Sequence, residues 1–133
     1  MKSAYTITLL HSQPLLVVEG KINGRGPLRF SIDTGASSTV ITPGAARRVR
    51  LANRTNKIVK GVSASTVVPA FLVKIDFLEI GNLSVHNLDA AVMNLSTVNR
   101  ATHLNLDGIL GYNFLCRYRV TIDYKIGTVK FQV

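Results

Sequence analysis

Apolar and polar positions alternate along most of this chain with a period of two, the spacing of half-buried strands rather than of helices. Tyr5-Thr6-Ile7-Thr8-Leu9-Leu10 opens the series, and residues 15–22, rich in Val and Leu, form a second run. Asn23-Gly24-Arg25-Gly26-Pro27 reads as a turn, with two glycines free to take positive φ, and residues 28–32 return as a third strand, so the segment predicts a hairpin. Residues 38–42 predict a short strand. Thr42 then suits an N-cap and Pro43 a first helical position, with Ala45, Ala46, Val49 and Leu51 as the apolar side of a short helix. Residues 67–75 and 77–80 read as strands around a polar break, Gly81-Asn82 as a turn and residues 83–92 as another strand. Residues 94–105 are polar and predict a surface loop. Residues 111–116 hold one helical turn, and residues 115–123 and 128–133 predict two closing strands joined by a turn at 125–127. Many short strands with turns about every eight to twelve residues predict an all-β small barrel or sandwich carrying one or two short helices. No internal boundary interrupts residues 1–133, so one domain is expected.

Composition sets limits on this picture. A chain of 133 residues, 47% apolar, can bury a core without disulfide or metal staples. The longest apolar run, at residues 15–18, falls far short of the roughly 18 residues of a spanning helix, so no membrane segment is expected. The first twenty residues do not read as a signal peptide: His11, Ser12, Gln13 and Pro14 interrupt the apolar stretch. A leader or a further domain can still precede such a chain, and the compartment stays open between the cytoplasm and an exported or membrane-tethered setting. Cys116 is the one cysteine, cannot form an internal disulfide, and reads as a buried inert thiol. His11, His86 and His103 stand apart without carboxylates at ligand spacing, so no metal is expected. The net charge of +9, with Arg47, Arg48, Arg50, Arg54, Lys57 and Lys60 crowded together, attracts anions in general. No aromatic residues interleave with these cations and no glycine-rich phosphate loop is present, so nucleic acid is not an expected partner.

The chemistry lies in Asp33-Thr34-Gly35-Ala36-Ser37, which occurs once and follows the apolar run Leu28-Arg29-Phe30-Ser31-Ile32. A carboxylate at such a turn, next to a small hydroxyl and a glycine, can present its oxygens to a cleft. It is expected at the edge of the core, partly withdrawn from water. Two such carboxylates facing each other can share a proton and activate a water, but one cannot. Downstream, Asp107-Gly108-Ile109-Leu110-Gly111 frames two apolar residues with glycines, and Gly111 lets this segment pack against another backbone.

Phe30-Ser31-Ile32-Asp33-Thr34-Gly35-Ala36-Ser37 resembles the active-site motif of aspartic proteases, and Gly108-Ile109-Leu110-Gly111 resembles the element that crosses behind that loop. With Tyr112-Asn113-Phe114-Leu115 and Val120-Thr121-Ile122-Asp123-Tyr124, the chain is similar over about residues 15–133 to single-motif, retropepsin-like bacterial members of that family, some of which carry a PDZ domain. The resemblance implies a retropepsin-like closed β-barrel and a homodimeric endopeptidase acting on a peptide or protein substrate without a cofactor. Asp33 of each subunit would be catalytic. Thr34 would bond across the two-fold axis, and Gly35 would leave room for substrate and bond the carboxylate through its backbone. Ala36, Ser37, Ile109, Leu110 and Gly111 would support the loop. One acid of the pair would stay protonated near neutrality and polarise the scissile carbonyl, while the ionised one takes a proton from the bridging water.

Ala36 departs from the pepsin-type pattern, which places a hydroxyl there to bond the aspartate. Its loss leaves a dyad less acidic, so activity is expected at mildly acidic to near-neutral pH. A flap is expected between residues 51 and 69, with Lys60-Gly61-Val62-Ser63-Ala64-Ser65 as its tip, and Lys57 and Lys60 favouring acidic substrate side chains. By analogy, the terminal strands at residues 5–10 and 128–133 are candidates for a dimer sheet. Asp107 reads as a loop or cap residue and Asp123 as a turn residue, while Tyr112, Phe114, Tyr118 and Tyr124 read as core or interface packing. Two other functions remain open on the same fold: a non-catalytic dimerisation or peptide-binding module, and a basic nucleic-acid-binding barrel. The latter would be favoured by cations gathered on a face away from the cleft.

Overall fold

The computed structural model describes residues 3–51, 58–63 and 66–133. In chain order the elements are β1 (Ala4–Thr8), β2 (Val17–Ile22), β3 (Arg25–Ile32), β4 (Thr39–Ile41), α1 (Pro43–Arg48), β5 (Ile58–Ser63), β6 (Thr66–Ile80), β7 (Leu83–Val92), α2 (Ser96–Thr102), β8 (Gly108–Leu110), α3 (Tyr112–Leu115), β9 (Arg119–Asp123) and β10 (Thr128–Gln132). The larger sheet runs β2-β3-β8-β4-β7-β6-β5, and β2 also pairs with β6. That pairing, Gly20↔Ile80 through Ile22↔Leu78, closes six strands into a barrel and leaves β5 outside the ring. Closure needs a glycine: a Cβ on Gly20 would stand 2.6 Å from the Ile80 side chain and 2.8 Å from the Glu79 carbonyl.

Period-two patterning explains the barrel. Inward positions of β2, β3, β6 and β7 supply Val18, Ile22, Leu28, Phe30, Ile75, Leu78, Ile80 and Leu88, all essentially inaccessible to water. The smaller sheet, β1-β10-β9, is antiparallel and covers one end of this core. It is locked to α3 by an aromatic cluster, in which Phe114 and Phe131 meet edge to face with ring centroids 5.4 Å apart and Tyr118 packs against both. Thr42 caps α1, its hydroxyl accepting from the Ala45 amide at 3.1 Å, with Pro43 beginning the helix. No helix among the described residues is long and apolar enough to cross a membrane.

Several expectations need correction. Residues 67–80 form one continuous strand. Asp76 interrupts the ladder between Ile75↔Leu88 and Phe77↔His86, opposite Asn87 at φ 54°, without ending it, because both flanks pair with β7. The polar stretch at 94–105 contains α2, and beyond it Leu104 and Leu106 seal Val17 on the outer face of the barrel. Residues 115–118 belong to α3 and a turn rather than to β9. Cys116 is exposed, because it sits at the end of α3 facing away from the aromatic cluster. Strand β10 cannot add to a dimer sheet through its own edges: β1 occupies one and β9 the other within the same chain.

Candidate active site

Strand β3 delivers Asp33. Its last residues pair in parallel with β8, Ser31↔Ile109 and Ile32↔Leu110, and the Asp33 amide continues that ladder by donating to the Leu110 carbonyl at 3.1 Å. The chain then turns. The Ala36 amide donates to the Asp33 carbonyl at 3.2 Å, and the Gly35 amide donates to Asp33 Oδ1 at 2.9 Å, which fixes the carboxylate's direction. The carboxylate lies beyond Ile32, the last buried residue of the strand, so in the single chain Asp33 is exposed, not withdrawn at the edge of the core. Thr34, Gly35, Ser37 and Ser38 are exposed beside it, and the Thr34 hydroxyl has no hydrogen bond among the described residues.

The segment Gly108–Leu110 and Gly111 supports this turn from behind. Leu110 is fully buried and Ile109 partly so. A Cβ on Gly111 would collide with the Ser38 carbonyl, so only glycine lets the two backbones pass. The Tyr112 amide donates to the Ala36 carbonyl at 2.8 Å. Gly108 is as constrained, since its Cβ would fall on the Phe30 ring at 2.8 Å.

Asn113 is a residue the sequence reading gave no role. Its Oδ1 accepts from both the amide and the hydroxyl of the fully buried Thr39, each at 2.9 Å. Its Nδ2 donates to the Asp89 carbonyl at 2.6 Å. Asn113 thereby ties α3 to β4 and β7 directly behind the turn. The available signal was a lone amide inside the apolar run Tyr112-Asn113-Phe114-Leu115. Asp107 also does more than cap a loop. It accepts from the Arg29 amide at 2.9 Å and from the Arg48 guanidinium at 2.6 Å, joining β3 to α1. Asp123 accepts from the Lys125 and Ile126 amides and holds the β9–β10 turn.

Of the aromatic residues expected to pack, Phe114 and Tyr118 do, but Tyr112 and Tyr124 are 64% and 68% exposed in the single chain, because they sit at the start of α3 and in the β9–β10 turn. Lys60, Gly61, Val62 and Ser63 lie on β5, paired with β6 from Lys60↔Pro69 to Ser63↔Thr66. Ala64, Ser65, Arg54 and Lys57 fall outside the described residues. This hairpin projects from the N-terminal half of β6, which leaves the barrel before β6 reaches its pairing with β2. The Tyr118 hydroxyl is less acidic than that of an ordinary tyrosine. Burial raises its pKa, the nearby Arg117 cation lowers it, and Tyr5 adds to the rise.

Comparison with known proteins agrees with this geometry. The family model described as aspartyl protease matches residues 18–114, which span the Asp33 turn and the Gly111 crossing. DNA damage-inducible protein 1 of Eremothecium gossypii is 24% identical over 126 residues, covering 95% of this chain. This chain spans 25% of that relative's length. Among solved structures, a retropepsin-like aspartic protease from Rickettsia conorii superposes with a TM-score of 0.70 at 18% identity, covering 96% of this chain and 89% of the other. The retroviral protease-like domain of Ddi1 from Leishmania major gives 0.53 at 19% identity, covering 84% and 82%. EIAV protease bound to the inhibitor HBY-793 gives 0.58 at 18% identity, covering 80% and 90%. With a β-barrel of the retropepsin-like kind and a family match across most of its length, this chain belongs to the aspartyl protease family.

Proposed function

We propose that the protein is a homodimeric aspartic endopeptidase in which Asp33 of each subunit acts on one water. The observation that carries this reading is the Asp33 turn itself. The chain has one such turn, anchored from behind by the Leu110 carbonyl and held from within by the Gly35 amide, with its carboxylate and the Thr34 hydroxyl turned outward. A second copy brought against this face by a two-fold axis would supply the missing acid. Thr34 would then find its partner across the axis, and both carboxylates would leave bulk water.

Two carboxylates sharing a site cannot both ionise. The ionised one takes a proton from the water as its oxygen bonds to the scissile carbonyl carbon. The protonated one donates to the carbonyl oxygen. Collapse of the resulting diol breaks the C–N bond as the departing nitrogen takes a proton from the dyad. The β5–β6 hairpin would fold over an extended substrate as a flap and exclude water, with Lys60, Gly61, Val62 and Ser63 on its first strand.

Asp33→Asn tests the reading. Hydrolysis of a mixed peptide library should fall by roughly 10²–10⁴-fold or more, while particle mass and peptide binding stay as in the wild type. Undiminished cleavage by Asp33→Asn would refute it, and a wild type that binds peptides and cuts none would leave the binding-module reading.

A further inference from the structure

We propose that a basic cleft at the far end of β3 is an exosite that holds an acidic segment of the protein substrate; this rests on the peptidase reading above. The cleft, about 730 Å³, lies between the β2–β3 hairpin and the C-terminal end of α1, and its walls include Lys21, Arg25, Pro27, Arg48, Val49 and Arg50. Four cations therefore converge from two separate elements. Asp107 engages Arg48, and Glu79 stands opposite Lys21 in the β2–β6 register. Arg25 and Arg50 have no carboxylate at ion-pair distance among the described residues.

Arg50 is informative in its backbone. The helix ends with the Leu51 amide donating to the Ala46 carbonyl at 2.9 Å and the Arg50 amide to the Arg47 carbonyl at 3.1 Å. In that arrangement the residue after the cap takes a left-handed conformation and is usually glycine. Here it is arginine at φ 56°, so a long cation occupies a position that stability alone assigns to a smaller residue. Complementing the helix dipole accounts for Arg47 and Arg48 in the last turn. It does not account for Lys21 and Arg25, which arrive from the opposite hairpin.

Arginine side chains pair with carboxylates through two parallel hydrogen bonds, so the cleft suits aspartate or glutamate side chains. No aromatic residue lines it, so unpaired nucleic-acid bases would find no stacking surface. Arg25 opens β3 and Asp33 follows its last residue, eight positions later. At about 3.3 Å per residue the two ends lie about 26 Å apart along the strand. An extended substrate would span that distance with about eight residues, so the acidic run belongs that far from the scissile bond.

The test uses a fluorescein-labelled peptide of ten alternating Asp and Glu residues and an oligothymidylate of equal charge, titrated against the whole chain by anisotropy. Saturable peptide binding that weakens about tenfold in the double variant Arg25→Glu/Arg50→Glu is expected. Arg50→Gly should weaken it too while the melting temperature holds or rises, which a purely structural arginine would not produce. In cleavage assays, an acidic run about eight residues from the scissile bond should lower KM for the wild type, and the double variant should lose that advantage. Absence of saturable peptide binding, indifference to the double variant, or tighter binding of the oligonucleotide would overturn the exosite. Peptide binding without any hydrolysis would overturn the peptidase reading instead.

Discussion

At the residue scale, the Asp33 turn depends on positions that do no chemistry. Gly111→Ala would drive a methyl group into the Ser38 backbone. Overpacking of this kind costs about 1–3 kcal/mol, and the displaced turn should lower kcat more than it raises KM, as steady-state kinetics beside a urea melt would show. Asn113→Ala leaves the buried Thr39 amide and hydroxyl without their shared acceptor, an expected loss of about 1–3 kcal/mol; Asn113→Asp, which keeps the acceptor oxygen, should recover part of it. Ala36→Ser would restore a donor beside the carboxylate, and the acid limb of the pH–rate profile should then move to lower pH. Asp33, Gly35 and Gly111 were legible in the sequence because glycines at fixed places around one acid leave few alternatives. Asn113 was not, since its partners, Thr39 and Asp89, are brought to it only by folding. The exposure of Asp33 was hidden for a related reason: an apolar strand before an acid does not reveal on which side of its last buried residue the carboxylate falls.

At the scale of elements, patterning carried most of the strands and the cap of α1, because burial on one face imposes a period of two and Thr42-Pro43 is a local signal. It failed where tertiary contacts decide. Pairing with β7 along both flanks carries β6 through the polar Asp76, and Leu104 and Leu106 draw a polar segment onto the outside of β2. The expected terminal strands form, but β10 lies between β1 and β9, so among the described residues only β1 and β9 keep an outer edge in that sheet. The aromatic cluster joining that sheet to α3 makes Phe114→Ala an expected loss of about 3–5 kcal/mol, measurable by denaturant titration. Tyr118 in the same cluster favours its neutral form, because burial raises its hydroxyl above the usual 10.0. Its contribution is therefore full below about pH 10 and falls as pH rises through the higher folded value. Tyr118→Phe should flatten that alkaline decline in a series of thermal melts.

At the scale of the whole molecule, the barrel provides a rigid frame with one acid at its end, and the proposed reaction needs two. The account predicts an activity that belongs to pairs of chains. Wild-type and Asp33→Asn chains, unfolded together in equal amounts and refolded, would form about one quarter doubly wild-type pairs. The measurement is total peptide hydrolysis across a series of such mixtures. Activity falling as the square of the wild-type fraction is the predicted result; activity falling in direct proportion to that fraction would mean that each chain works alone and would contradict the account.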